Sequence, residues 1–192
     1  MADWKAQSES FESMAALSIR SFNLADGGEP VRLEARAVTA DFFPVLGVNP
    51  ALGRAFTADE DRPGGGNVAV ISHALWQGRY GGEPNIVGRD ILLNGEKRTV
   101  VGVMPARFQF LDEVDVWVPL ALSPQDWANR GRHYLTVVAR LKPGVSLERA
   151  NADLRTVMAR IRRDHPDEAE RTDAYALALD EQLTGGVRKQ IV

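Results

Sequence analysis

Cysteine is absent from this chain, which removes disulfide frameworks and thiolate metal sites from consideration. No apolar run approaches the ~18–20 residues that a membrane span needs. The opening MADWKAQSES has no apolar core of a secretion signal, so at face value the chain reads as soluble and unexported. An excess of either charge is also missing. A net charge of −3 and a pI near 5.7 leave no electrostatic footprint for nucleic acid.

What is present is ordinary globular material. Hydrophobic residues make up 44% of the 192 and charged residues 26%, a balance that argues against disorder. A chain of this length buries roughly 70% of its unfolded surface, enough for one domain or two small ones. Trp4, Phe11, Met14 and Ala15 lie near helical spacing and predict an amphipathic helix over Trp4–Ala16. Strands are predicted over Leu17–Leu24 and Val31–Val38, joined across Asp26-Gly27-Gly28-Glu29-Pro30. In the second, Val31, Leu33, Ala35 and Ala37 alternate with Arg32, Glu34 and Arg36.

From Thr39 to Gly66, Pro44, Pro50 and Pro63 break any long helix. Phe42, Phe43, Val45, Leu46, Leu52 and Phe56 are too apolar for an open linker, so a packed irregular segment is expected there. It ends in an acidic and glycine-rich stretch, Asp59–Asn67, expected to be exposed and mobile. Val68–Ile71 reads as a buried strand, with Ser72 as N-cap of a helix over His73–Tyr80. Asn94-Gly95 between apolar runs is a hairpin signal, and Val114–Leu120 reads as a strand with Pro119 at its end. Trp76 and Trp117 are expected to fill one core.

Tyr134–Leu141 alternates as a strand, and Ser146 caps a long helix ending near His165-Pro166. Leu147, Ala150, Leu154, Val157, Met158 and Ile161 share one face of that helix. A strand over Thr172–Leu179 is expected to follow.

Candidate chemistry is sparse, and each candidate has a structural alternative. His73, His133 and His165 stand one per region without a second ligand nearby, so they make no zinc set. Gly64-Gly65-Gly66-Asn67 lacks the Lys-Ser/Thr pair of a P-loop. Asp59, Glu60 and Asp61 lack the ligand spacing of a calcium loop and read as a solvated acidic turn. Asp112, Glu113 and Asp115 read as strand-edge charges rather than paired glycosidase carboxylates. Ser72 and Ser146 sit as helix caps, not in a G-x-S-x-G elbow. Arg155, Arg160, Arg162 and Arg163 present either a docking surface or a solvated helix face favoured by the dipole. No catalytic, cofactor-binding or metal residue is therefore assigned, and no cofactor is expected.

The most distinctive run is Val68–Pro119. It holds Val70-Ile71-Ser72 with Leu75-Trp76, then Ile86-Val87-Gly88 leading to Leu93-Asn94-Gly95. Val100-Val101-Gly102-Val103-Met104-Pro105 and Asp115-Val116-Trp117-Val118-Pro119-Leu120 follow. Together with Ala37–Phe56 and Tyr134–Ser146 it resembles the extracytoplasmic domain of MacB-like (FtsX-type) ABC transporter permeases. The resemblance implies an α+β fold of two subdomains. Residues 1–40 and 132–192 would form a porter-like βαβ-type unit, and 41–131 an inserted Sabre-like mixed α/β unit, with the termini together at one pole.

It further implies a non-catalytic domain of an inner-membrane protein, cut from between two membrane helices. Such a domain transmits ATPase-driven conformational change to cargo or a partner protein. Its implied partners are a cytoplasmic ATPase, a second permease copy as a homodimer in the membrane, and a periplasmic protein, with no nucleic acid. The fragment itself would be mostly monomeric, with Asp59–Asn67 and Ser123–Arg132 as the contact segments. A free-standing soluble ligand-binding domain or hydrolase is the competing class, and apolar segments flanking the domain in its reading frame would decide between the two.

Overall fold

The computed structural model describes residues 2–128, 135–165 and 174–179. The chain divides into two compact units: Met1–Ser13, Trp127–His133 and Ala139–Val192 form one, and Met14–Asp126 with Tyr134–Val138 the other. These limits differ from the divisions read from the sequence. The physical reason is that two strands flanking residue 30 pair with each other and then join strands from the middle of the chain.

In the larger unit, β1 (Phe11–Leu24) and β2 (Val31–Val38) form an antiparallel hairpin from Leu17↔Val38 to Leu24↔Val31. β2 continues parallel onto β7 (Val116–Pro119), which pairs antiparallel with β4 (Val68–Ile71). β4 runs parallel to β6 (Glu96–Val103), with a register shift between Ala69 and Val70. β5 (Asp90–Leu93) and β6 make the hairpin whose turn is Asn94-Gly95, both at positive φ. β5 returns to β1 at Leu24↔Leu93, so six strands close into a ring in the order β2-β7-β4-β6-β5-β1. Outside the ring, β3 (Leu52–Gly53) pairs with β6 and β8 (Thr136–Leu141) with β1.

Alternation along these strands buries both faces. Val38, Val70, Val101 and Trp117 join one core with Phe42, Phe43 and Val45 of α2 (Phe42–Leu46), and with Phe56, Met104 and Phe110. Their strand neighbours Ala37, Ala69, Ile71, Val100, Val116 and Val118 are buried as well, on the opposite face. Phe43 is the hub of the first core, with ring centroids 5.3 Å from Phe42 and 5.9 Å from Trp117. The apolar residues between the prolines thus pack as expected, and around a short helix. Pro44 lies within its first turn, where no backbone donor is needed.

At Gly53 the chain crosses β6 so closely that a Cβ would collide with the Val101 carbonyl, and one on Gly102 would meet the Arg54 carbonyl. That approach needs two glycines.

The smaller unit is built on α1 (Ala2–Gln7) and α5 (Leu147–Asp164). Val157, Met158 and Ile161 pack with Trp4 and Ala174, and the Trp4 indole N–H points at the Met158 sulfur at 3.3 Å. The helix expected over Trp4–Ala16 is a correction. It ends at Gln7, and Phe11, Met14 and Ala15 belong to β1. Ser8-Glu9-Ser10 binds the Asp153 carboxylate through its backbone and the Ser8 hydroxyl, which competes with helical hydrogen bonding.

The caps at Ser72 and Ser146 form as read: each hydroxyl accepts from the backbone N–H three residues on, starting α3 (His73–Tyr80) and α5. α4 (Pro124–Ala128) starts at a Ser123–Asp126 exchange of the same kind. The strand expected over Thr172–Leu179 carries no ladder at Ala174–Ala178. Instead the Asn151 amide exchanges two hydrogen bonds with the Ala176 backbone, at 2.7 and 3.1 Å.

Candidate functional surface

The acidic and glycine-rich loop carries the richest electrostatics, and it is tied down rather than solvated. Arg54 reaches both oxygens of Glu60 at 2.7 and 2.8 Å, and the Thr57 N–H donates to the same carboxylate. The Arg54 pair holds the Glu60 carboxyl at about 2, against the opposing effect of burial. Asp61 accepts from the Ala40 N–H at 2.9 Å and the Ala121 N–H at 2.8 Å, bridging the ends of β2 and β7. Burial pushes its carboxyl up, while those two N–H groups pull it down. Only Asp59 of the acidic triplet stays outward, paired with Arg62 at 3.2 Å. The expected solvated turn is corrected for Glu60 and Asp61: short-range ligands were at hand in Arg54 and in two open backbone donors.

The second carboxylate run is dispersed into structural ties. Asp112 pairs with buried Arg36 at 2.9 Å. Asp115 accepts from the Glu34 N–H through its side chain and donates its own N–H to the Glu34 carbonyl. Glu113 is exposed.

Sequence reasoning missed three polar features. Asp153 Oδ2 gathers the Ser8 hydroxyl and the N–H groups of Glu9 and Ser10, at 2.6 to 2.9 Å. Burial works against its charge, but these donors outweigh it and hold the carboxyl below its usual range. Arg36 is 7% exposed, although it sits on a strand with outward-reading alternation. Asp26 Oδ2 and the Tyr80 hydroxyl are buried in each other's company, and Arg89 stands 3.6 Å from Asp26. Burial, then the Asp26 charge, pushes the Tyr80 phenol up. Spacing from Asp153 back to Ser8 gives no local signal, and neither does that from Tyr80 to Asp26.

The remaining sequence candidates stay apart. His73 stacks edge-on against Trp76 at 5.4 Å, and His165 caps α5. His133 lies outside the described residues, as do residues 129–132 of the expected contact segment Ser123–Arg132 and the terminus needed to place the two chain ends. Trp76 is half-buried on a helix with no buried residue, its indole N–H donating to the Glu83 carbonyl at 3.0 Å. This corrects the expectation of one core shared by Trp76 and Trp117: α3 lies across the surface, while Trp117 is 2% exposed inside the aromatic cluster. Among the described residues no group of three His, Cys, Asp or Glu is placed to hold a metal ion. No described helix is long and apolar enough to cross a membrane.

Comparison with known proteins identifies what these surfaces belong to. Residues 1–157 match the family model of the MacB-like periplasmic core domain. The macrolide export ATP-binding/permease protein MacB of Burkholderia pseudomallei is 31% identical over 120 residues, 61% of this chain and 18% of that protein. Its Salmonella typhi counterpart is 25% identical over 145 residues, 70% of this chain and 21% of the relative. The chain thus spans about a fifth of these relatives.

Among solved structures, the periplasmic region of MacB from Actinobacillus actinomycetemcomitans shares the fold with a TM-score of 0.67 at 13% identity, over 100% of this chain and 83% of that one. The extracellular domain of the ABC-type transporter YknZ from Gram-positive bacteria aligns with a TM-score of 0.62 at 14% identity, over 88% and 85%. With the match covering most of its length, the chain belongs to the MacB-like periplasmic core domains, an extracytoplasmic part of ABC transporter permeases.

Proposed function

We propose that this domain performs no chemistry and transmits ATPase-driven movement of its parent permease to cargo or to a periplasmic partner protein. The observation that carries this reading is the fate of the acidic side chains. Glu60, Asp61, Asp112, Asp115 and Asp153 are spent on tying loops and strand ends to their own unit. Each unit built this way moves as a piece, and a transmitter needs such units. The domain works beside a second copy, each driven by a cytoplasmic ATPase. The membrane raises the effective concentration of the two copies, so a weak contact suffices. The porter-like role falls to residues 1–40 and 132–192, which include α1 and α5, and the inserted role to residues 41–131.

Thermal unfolding of the domain with EDTA, zinc, calcium or ATP should leave the midpoint unmoved, and sedimentation should give a monomer at micromolar concentration. A ligand at 100 times its dissociation constant adds about 2.7 kcal/mol. A rise of that size, or a tight dimer, contradicts a passive transmitter.

A further inference from the structure

The outer face of α5 has a composition that its fold does not require. Five arginines, Arg149, Arg155, Arg160, Arg162 and Arg163, are all exposed on this helix, against exposed Glu148 and Asp164. The whole chain is net −3, so this face has the opposite sign to the molecule that carries it. Arg162 and Arg163 lie in the last turn, where the helix dipole favours cations. Arg149 lies in the first turn, where the dipole disfavours them. Arg155 has no acidic residue three or four positions away, so an ion pair along the helix does not account for it either.

The geometry of the face narrows what it fits. At 100° per residue, Arg149 and Arg160 project along one flank and Arg155 along the other. Between them the exposed ridge is Ala152, Thr156 and Ala159, with Glu148 at its start and Arg163 at its end. Between those two ends nothing bulky protrudes, so the guanidinium groups can straddle a flat surface. A protein interface centres on apolar or aromatic anchors, with arginine enriched beside them. This face has the arginines but no such anchor, only alanine and threonine between them. It also lacks the Trp, Phe or Leu with which an amphipathic helix inserts among acyl chains. Guanidinium forks are matched to phosphate oxygens, and the chain belongs to the periplasmic core domains of membrane permeases.

We propose that the outer face of α5 docks reversibly onto the phosphates of anionic lipid headgroups. The inference rests on the domain's being an extracytoplasmic part of a membrane permease and not on the transmission of movement. Contact of this kind would hold the α5 unit against the leaflet without insertion. It would weaken with salt, because exposed charges are screened over about 10 Å at 0.1 M.

The test is co-sedimentation of the chain with vesicles of phosphatidylcholine alone, and with vesicles of phosphatidylcholine and phosphatidylglycerol in equal parts. Binding to the second and not the first, abolished by high salt, is expected. Each arginine contributes about fivefold to partitioning, so the triple variant Arg149→Gln, Arg155→Gln, Arg160→Gln should lose on the order of a hundredfold. All three are exposed, and an unchanged melting curve verifies the fold. The single variant Arg155→Gln gives a second reading. A control removing Arg32, Lys97 and Arg107, exposed on the other unit, should retain binding. Absence of binding to the anionic vesicles, equal loss in the control, or undiminished binding by the triple variant overturns the proposal. Capture by an immobilised polyglutamate without vesicle binding does so too. None of these results bears on the coupling role.

Discussion

Single residues set how this domain responds to pH and to truncation. Glu60 is held at about 2 by Arg54, and Asp153 is held low by its ring of donors. Both folded values lie below the unfolded carboxyl range near 4. Each group therefore contributes stability that is present above that range and is lost as pH falls through the folded value. Asp61 works the other way, since burial raises it: its contribution is present below its unfolded value and is lost as pH rises through the folded one. The net expectation is an acid limb of decreasing stability between about pH 5 and 2. Urea denaturation across that range should show it, and Glu60→Gln and Asp153→Asn should each flatten it. An acid limb unchanged in both variants would dissociate these ties from stability.

The tryptophans separate at the same scale. Trp117→Ala should cost about 3–5 kcal/mol, the range for a large aromatic lost from a core. Trp76→Ala should cost less than half as much in the same titration, because it removes a half-buried ring and one hydrogen bond.

Elements show which parts of the fold were legible in the sequence. The limits of α3 and α5 and the β5–β6 hairpin followed from Ser72, Ser146 and Asn94-Gly95, because caps and tight turns are short-range chemistry. The N-terminal helix did not: helical spacing of Phe11, Met14 and Ala15 coexists with a strand whose two faces are both covered, so its buried run Met14–Ser18 does not alternate. The contact between β3 and β6 was equally silent, since Gly53 and Gly102 signal flexibility locally and only their meeting shows that neither tolerates a side chain. Gly53 also holds φ at 71°. Gly53→Ala should therefore destabilise by more than about 1 kcal/mol, measured by chemical denaturation. A neutral or stabilising result would mean that β3 is free to lift from β6. Of the candidate surface, the residue types were visible in the sequence but their partners were not, because Asp61 and Asp153 act on backbone far away in the chain.

For the whole molecule, belonging to the MacB-like periplasmic core domains sets the working context, and the internal ties set the mechanics. Its buried and half-buried acidic side chains are engaged within their own units, and on the proposed reading the movement it passes on comes from outside it. Paired spin labels offer the most direct test, one at exposed Glu113 of each copy in the full-length permease reconstituted with its ATPase. Distances between the two labels should change between the nucleotide-free and ATP-bound states, while a pair placed within the ring unit, at Glu113 and Asp59, stays fixed. Inter-copy distances that do not respond to nucleotide, or an intra-unit distance that does, would contradict a rigid transmitter.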